Sequence, residues 1–234
     1  LAVENARIAR EMVRSERLSA VGRMASTIIH DIKNPMAIIH TYAQIIKRKS
    51  GTGEAAEIAD EMIRQVNHFV KMTQEVLDFS RGVSEMNFDT IQIDNVLKEA
   101  LRMVRPDLQK GKIEVVQDLN YTGECRLDEE KMVRVVYNIV NNAVDAMPDG
   151  GSLTVRTRKV NDYVEMEFTD TGKGIPEEIK SKVLEPFFTF GKKHGTGLGL
   201  AIVKKIVEDH NGEIGIASTP DQGTTIRISI PLSH

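Results

Sequence analysis

The chain has 234 residues, 41% of them apolar, enough to bury a substantial core and to divide most naturally into two domains. Lys and Arg number 31 against 34 Asp and Glu, a formal net charge of -3 with no continuous basic stripe, so a duplex-binding face is excluded and no nucleic-acid partner is expected. The single cysteine, Cys125, rules out a disulfide framework or a thiolate metal cage, and no apolar run approaches the roughly 18 residues of a membrane span; the expected compartment is the cytoplasm.

The chain opens Leu1-Ala2-Val3 with neither an initiator methionine nor a signal segment, as expected for a fragment of a longer protein that is itself soluble or membrane-attached. A weak seam of Leu1, Ile8 and Met12 suits the tail of an incoming signalling helix. From Ser15 to Arg48, Leu18, Val21, Ala25, Ile28, Ile32, Ile39, Ala43 and Ile46 recur mostly three and four residues apart, which predicts a long helix with one buried seam. Lys49-Ser50-Gly51-Thr52-Gly53 is a short turn, and Ile58, Met62, Val66, Phe69, Val76 and Phe79 then predict a second helix up to Ser80-Arg81-Gly82. Two long helices joined so tightly must be antiparallel neighbours. A lone hairpin has too little core, so a homodimer completing a four-helix bundle is the expected assembly of a first domain spanning residues 1–82.

On the first helix sits His30-Asp31-Ile32-Lys33-Asn34-Pro35. Pro35 removes a backbone donor and bends the helix just after the histidine turn. The seam passes through Ile28, Ile29 and Ile32, which turns His30 toward solvent. An imidazole with a pKa of about 6.5 is substantially neutral at pH 7 and can attack an electrophile, while Asp31 can accept the proton of the other ring nitrogen. Asn34 is placed to orient a water beside whatever becomes attached to the ring. On these six residues alone, an ordinary surface histidine remains an alternative.

After Gly82 the period changes and a second, α/β domain over residues 83–234 is expected. Phe88, Ile91 and Ile93 predict a short strand, Asp94 caps a helix to about Val104, Ile113, Val115 and Val116 form a strand, and Asp128 opens a helix through Met147. Strands near Ser152 to Lys159 and Tyr163 to Thr169 come next, then a short helix after Pro176 and a helix from Leu200 to His210. Strands near Glu213 to Ser218 and Thr224 to Ile230 finish a mixed sheet with helices on one face.

Three motifs in this half suit a bound polyphosphate. Asn138 and Asn142 lie one helical turn apart; asparagine is costly when buried unless its amide is used, and its carbonyl is a hard oxygen ligand suited to Mg²⁺. Asp170-Thr171-Gly172-Lys173-Gly174 follows a strand, so its carboxylate can accept a hydrogen bond from an exocyclic amine while the glycines admit a planar base. Gly195-Thr196-Gly197-Leu198-Gly199 precedes a helix, whose first amides can hold phosphates. Between the last two, Phe187-Phe188 and the basic Gly191-Lys192-Lys193 have the composition of a lid.

The order and spacing of these motifs resemble the catalytic core of a bacterial two-component sensor histidine kinase, from about Leu18 to Ile230. The resemblance implies a dimerising helical hairpin followed by an α/β sandwich of the GHKL ATPase type. It implies ATP and Mg²⁺ as cofactors, His30 as phosphoacceptor, Asp31 as its base, and Asn34 as the residue that orients water when the kinase also acts as a phosphatase. Asn142 would be the principal Mg²⁺ ligand with Asn138 beside it, Asp170 the acceptor of the adenine amine, and Gly172 and Gly174 the turn beneath the base. Gly195, Thr196, Gly197, Leu198 and Gly199 would close the ATP lid. The partner implied is the receiver domain of a response regulator, which takes the phosphoryl group on an aspartate. Many members of the family carry a basic residue where this chain has Asp145, which Lys192 or Lys193 would replace from the lid. A GHKL ATPase that forms no phosphohistidine and a docking module with a regulatory nucleotide site are the rival readings.

Overall fold

Gly51 and Gly53, both at positive φ, end one helix and permit the next. In the computed structural model, which describes residues 32, 35–80, 86–190 and 196–232, the chain divides into two compact units, Leu1–Ser84 and Glu85–His234. In the first unit α1 (residues 35–50) and α2 (Glu54–Ser80) flank that turn. The Gly53 carbonyl accepts from the amides of Ala56 and Glu57 to start α2, and Lys47 pairs with Asp60 at 2.7 Å across the turn. Small residues make the contact, with Ala43, Ala56 and Ala59 buried together with Val66. Among the described residues of the expected seam, Ile39, Ile46, Ile58 and Met62 are exposed, and beside them so are Ile38 at 55% and Tyr42 at 62%. His30, Asp31 and Asn34 lie outside the described residues.

The second unit is a two-layer sandwich. Its sheet has strand order β2-β4-β5-β7-β6, formed by β2 (Ile113–Leu119), β4 (Gly151–Val160), β5 (Tyr163–Asp170), β6 (Glu213–Thr219) and β7 (Gly223–Pro231). The β2–β4 pair is parallel and the others antiparallel, so the sheet is mixed as the sequence predicts. Period-2 alternation gives each strand two chemistries. Leu153, Val155, Val164, Met166, Phe168, Ile226, Ile228 and Ile230 are buried toward the helical layer of α3 (Ile93–Lys110), α4 (Glu129–Ala146) and α6 (Gly199–Asp209). On the opposite face Asp118, Arg156, Glu167 and Arg227 stand in register on four successive strands, and their ion pairs measure 3.4, 3.5 and 2.8 Å. A four-residue helix, α5 (Glu177–Lys180), follows β5.

Three elements depart from the sequence reading. β1 (Asp89–Gln92) ends before Ile93, which instead begins α3 with Gln92 as its cap position, so Asp94 lies inside the first turn. α3 runs past Val104 and through Pro106 to Lys110, because Val104 and Leu108 are both buried and packing on that face outweighs the lost hydrogen bond. β3 (Glu124–Leu127) has no counterpart in the periodicity; it pairs antiparallel with β1, Ile91 opposite Cys125. Cys125 is buried there, which pushes its thiol up to about 11 and keeps it unreactive at neutral pH.

Among the described residues no helix is long and apolar enough to cross a membrane. Phe168, 2% exposed at the centre of the sheet, is the largest side chain of this core. Phe168→Ala is expected to destabilise the second unit by about 3–5 kcal/mol, read as a lowered denaturation midpoint in urea with an unchanged slope.

Candidate functional site

The spine of the site is α4. Asp128 caps it, its side chain accepting from the Lys131 amide at 3.0 Å. Met132, Val135, Val136, Ile139, Val140 and Ala143 are buried on one side of the helix, and this fixes its rotation. Asn138 and Asn142 share another face, four residues apart. The Asn138 side-chain amide donates to the Arg134 carbonyl at 3.1 Å, so its oxygen is left to look away from the helix. What it meets is the start of α6: a methyl group placed on Gly199 would lie 3.4 Å from Asn138 Oδ1 and 4.0 Å from Asn142 Nδ2.

That start has no side-chain cap. Leu198 occupies the cap position, its amide bonded to Thr196 Oγ1 at 3.2 Å, and the first intrahelical bond runs from the Ile202 amide to the Leu198 carbonyl. The first amides of any helix have no acceptor within it and carry the positive end of its dipole. The structure therefore brings an electropositive backbone end against two asparagines, a chemistry suited to phosphate oxygens.

The second wall is the loop after β5. Asp170 ends that strand and is buried, and its Oδ1 accepts from the amides of Gly172 at 2.8 Å and Thr224 at 3.2 Å. Burial pushes this carboxyl above the usual aspartate range, and the two amides pull it part of the way back. Both bonds use one oxygen. The loop is held to α4 through the Lys173 amide, which donates to the Ala146 carbonyl at 3.1 Å, and Gly172 sits so close to Ala146 that a methyl group would meet the carbonyl oxygen at 2.7 Å. Gly174 has φ +66 and lies against the Thr219 backbone; the Ile175 amide donates to Ser218 Oγ at 2.8 Å.

Sequence reasoning missed the β6–β7 corner that supports Asp170. Ser218 Oγ donates to the Gly223 carbonyl and lies 3.0 Å from Thr224 Oγ1, all three residues buried. Gly223, at φ +95, is so near that a methyl group would stand 1.9 Å from the Asp170 carbonyl oxygen. A signal was present in Gly223 itself, a glycine between two strands, but nothing in periodicity links this corner to Asp170 across the 54 residues that separate it from Thr224. Ahead of α6, Phe187 has φ +66 and is 61% exposed, and its amide donates to the Gly197 carbonyl at 3.0 Å. Gly197, Thr196 and Leu198 are thus placed at the foot of α6, whereas Lys192, Lys193 and Gly195 lie outside the described residues.

Among the described residues no cluster of three or more His, Cys, Asp or Glu could hold a metal by itself. The donor set at the α4–α6 junction fits a hard divalent ion that takes one or two protein oxygens and completes its shell with phosphate and water, as Mg²⁺ does.

Residues 20–85 match the family described as the His Kinase A (phospho-acceptor) domain, and residues 127–234 match the histidine kinase-, DNA gyrase B-, and HSP90-like ATPase family. Sensor histidine kinase ZraS of Escherichia coli (strain K12) is 30% identical over 95% of this chain and 48% of its own. Among solved structures, the mycobacterial sensor histidine kinase MprB is 31% identical over 62% of this chain and 97% of its own, with a TM-score of 0.55. Histidine kinase ThkA in complex with response regulator protein TrrA is 25% identical, covering 97% of this chain and 66% of that one, with a TM-score of 0.69. The chain spans about half the length, or less, of the curated relatives it matches.

The buried charge of Asp170 has a measurable sign. Its folded carboxyl titrates above its unfolded value, so between the two values the folded state holds more proton than the unfolded one, and stability falls as pH rises through that window. Asp170→Asn keeps an oxygen for the Gly172 and Thr224 amides but cannot ionise. Its stability relative to the parent, measured by urea denaturation, is expected to increase from below the carboxylate range to neutral pH.

Proposed function

The chain belongs to the two-component sensor histidine kinases, and we propose that it phosphorylates itself on His30 from ATP and passes the phosphoryl group to an aspartate of a response regulator receiver domain. The observation that carries this reading is the meeting of the α6 start with Asn138 and Asn142, walled by the loop that holds Asp170. An adenine amine bonded to the Asp170 carboxylate orients the base, and the first amides of α6 take phosphate oxygens. Asn142, with Asn138 beside it, would hold Mg²⁺, which when bound neutralises charge developing on the phosphates.

In the transfer, the Nε2 lone pair of His30 attacks the γ-phosphorus. A P–N bond forms as the P–O bond to ADP breaks, the departing oxygen keeps its electron pair, and Asp31 holds Nδ1–H and takes up its proton. The phosphoramidate is labile, so an aspartate carboxylate of the regulator can displace the imidazole and restore the ring. Asn34, orienting a water toward the acyl phosphate on the regulator, supplies the phosphatase direction. Lys192, Lys193 and the Gly195-to-Gly199 segment close over the triphosphate.

A homodimer fits the first unit. Ile38, Tyr42 and Ile58 are each more than half exposed in the single chain, and pairing two hairpins as a four-helix bundle covers such side chains. We place the reaction in the cytoplasm, where ATP is supplied.

His30→Gln is expected to abolish acid-labile, base-stable labelling by γ-labelled ATP while nucleotide affinity is retained; labelling that survives would remove His30 as acceptor. Asn142→Ala is expected to lose Mg²⁺-dependent nucleotide binding by calorimetry, about tenfold or more, and unchanged affinity would remove its metal role. Mixed heterodimers of the two variants report the direction of transfer: restored labelling means that one subunit serves the histidine of the other.

A further inference from the structure

His210 follows α6 and is fully buried, yet no step above uses it. Its Nε2 lies 2.9 Å from the Asp128 backbone amide and its Nδ1 2.7 Å from the Ile206 carbonyl, while the ring stands edge-on to Phe88 with centroids 5.3 Å apart. The partners dictate the tautomer. A carbonyl can only accept, so Nδ1 carries the proton, and an amide can only donate, so Nε2 presents its lone pair. The same Asp128 caps α4, its Oδ1 accepting from the Lys131 amide and its Oδ2 from the Asn87 amide, each at 3.0 Å.

Besides packing against each other, α4 and α6 meet at a polar point near each end. At one end the end of α6 meets the start of α4 through His210 and Asp128; at the other the start of α6 meets Asn138 through Gly199. At a rise of about 1.5 Å per residue, Asp128 to Asn138 is about 15 Å and Gly199 to His210 about 16 Å. The helices run opposite ways, and the two contacts are separated by nearly the same length on each, so the far bond sets the register of the near one. A slide of one residue would break the His210 bond and move the phosphate-binding end of α6 off the asparagines.

We propose that His210 is a positioning residue for nucleotide binding: its neutral imidazole, bonded to the amide that opens α4, holds α6 at the register that places Gly199 against Asn138. This rests on the nucleotide site described above. A second ring proton would set N–H against N–H and bury a charge, releasing the register. Burial holds the imidazole below its usual range; the Ile206 carbonyl and the carboxylates of Asp128 and Asp209 oppose this, and Lys131 adds to it. Arg126 lies beyond Phe88, 5.5 Å from its ring centre. Nucleotide and proton are thus antagonists at two sites about 16 Å apart along α6, and linkage makes the effect reciprocal.

The test uses the full chain, Mg²⁺ and a non-hydrolysable ATP analogue. Calorimetry gives affinity, circular dichroism at the same temperature reports folding, and ¹⁵N spectra of the imidazole report its titration. His210→Leu, folded, is expected to bind about tenfold more weakly, and His210→Gln, whose side-chain oxygen can replace Nε2 as acceptor, within about threefold of the parent. In the parent the analogue is expected to lower the His210 pKa. A folded His210→Leu with parental affinity overturns the proposal, as does equal weakening in Leu and Gln. Should Leu fail to fold, a His210 pKa unmoved by the analogue overturns it equally. Failure of the parent to bind the analogue overturns the nucleotide site itself, and this inference with it.

Discussion

A helix must begin somewhere, and its first amides then need acceptors that the helix cannot provide. In this chain α6 begins with Gly199, beside Asn138 and Asn142, with no side chain from its own cap. The remaining features of the second unit serve that junction. The apolar side of α4 fixes which residues turn toward α6, the Ala146 carbonyl anchors the Asp170 loop to the same helix, and the β6–β7 corner supports Asp170 from behind. A polar junction of this kind is stable only because a dry sheet and helix layer, centred on Phe168 and Met166, keeps it in place.

The two units solve burial differently. In the sandwich, period-2 strands and period-3.6 helices share one interior, and the apolar side chains of β4, β5 and β7 are covered within the chain. Among the described residues of the hairpin the covered apolar ones are mainly alanines, while Ile38, Ile39, Ile46, Ile58 and Tyr42 stay open to solvent. Small residues allow close approach of two helices but contribute little hydrophobic area, so the contact between the described parts of α1 and α2 buries little of their larger side chains.

What the sequence made legible follows from the range of the interaction concerned. Helical spacing marked α4 and α6, the Asp128 cap, and the shared face of Asn138 and Asn142, because all of these are set within a few residues. Strand alternation likewise placed β4 to β7 within one or two residues of their ends. β3 is four residues long and owes its existence to pairing with β1, which no local pattern announces. The same holds for the bonds from Thr224 to Asp170 and from Asp128 to His210, separated by 54 and 82 residues. Pro106 misled for a related reason: a local helix breaker was outweighed by burial of Val104 and Leu108 against other elements.

The row of Asp118, Arg156, Glu167 and Arg227 lies on the open side of the sheet, two negative and two positive groups in strict alternation across four strands. Neighbouring charges cancel at distances well inside a Debye length, so this wall projects almost no field into solution, while Asp118 and the two arginines that flank the more covered Glu167 stay hydrated. A broad sheet surface is thereby kept wettable and unattractive to a second sheet without enlarging the net charge of -3, so the chain avoids the self-repulsion that a one-signed surface would impose.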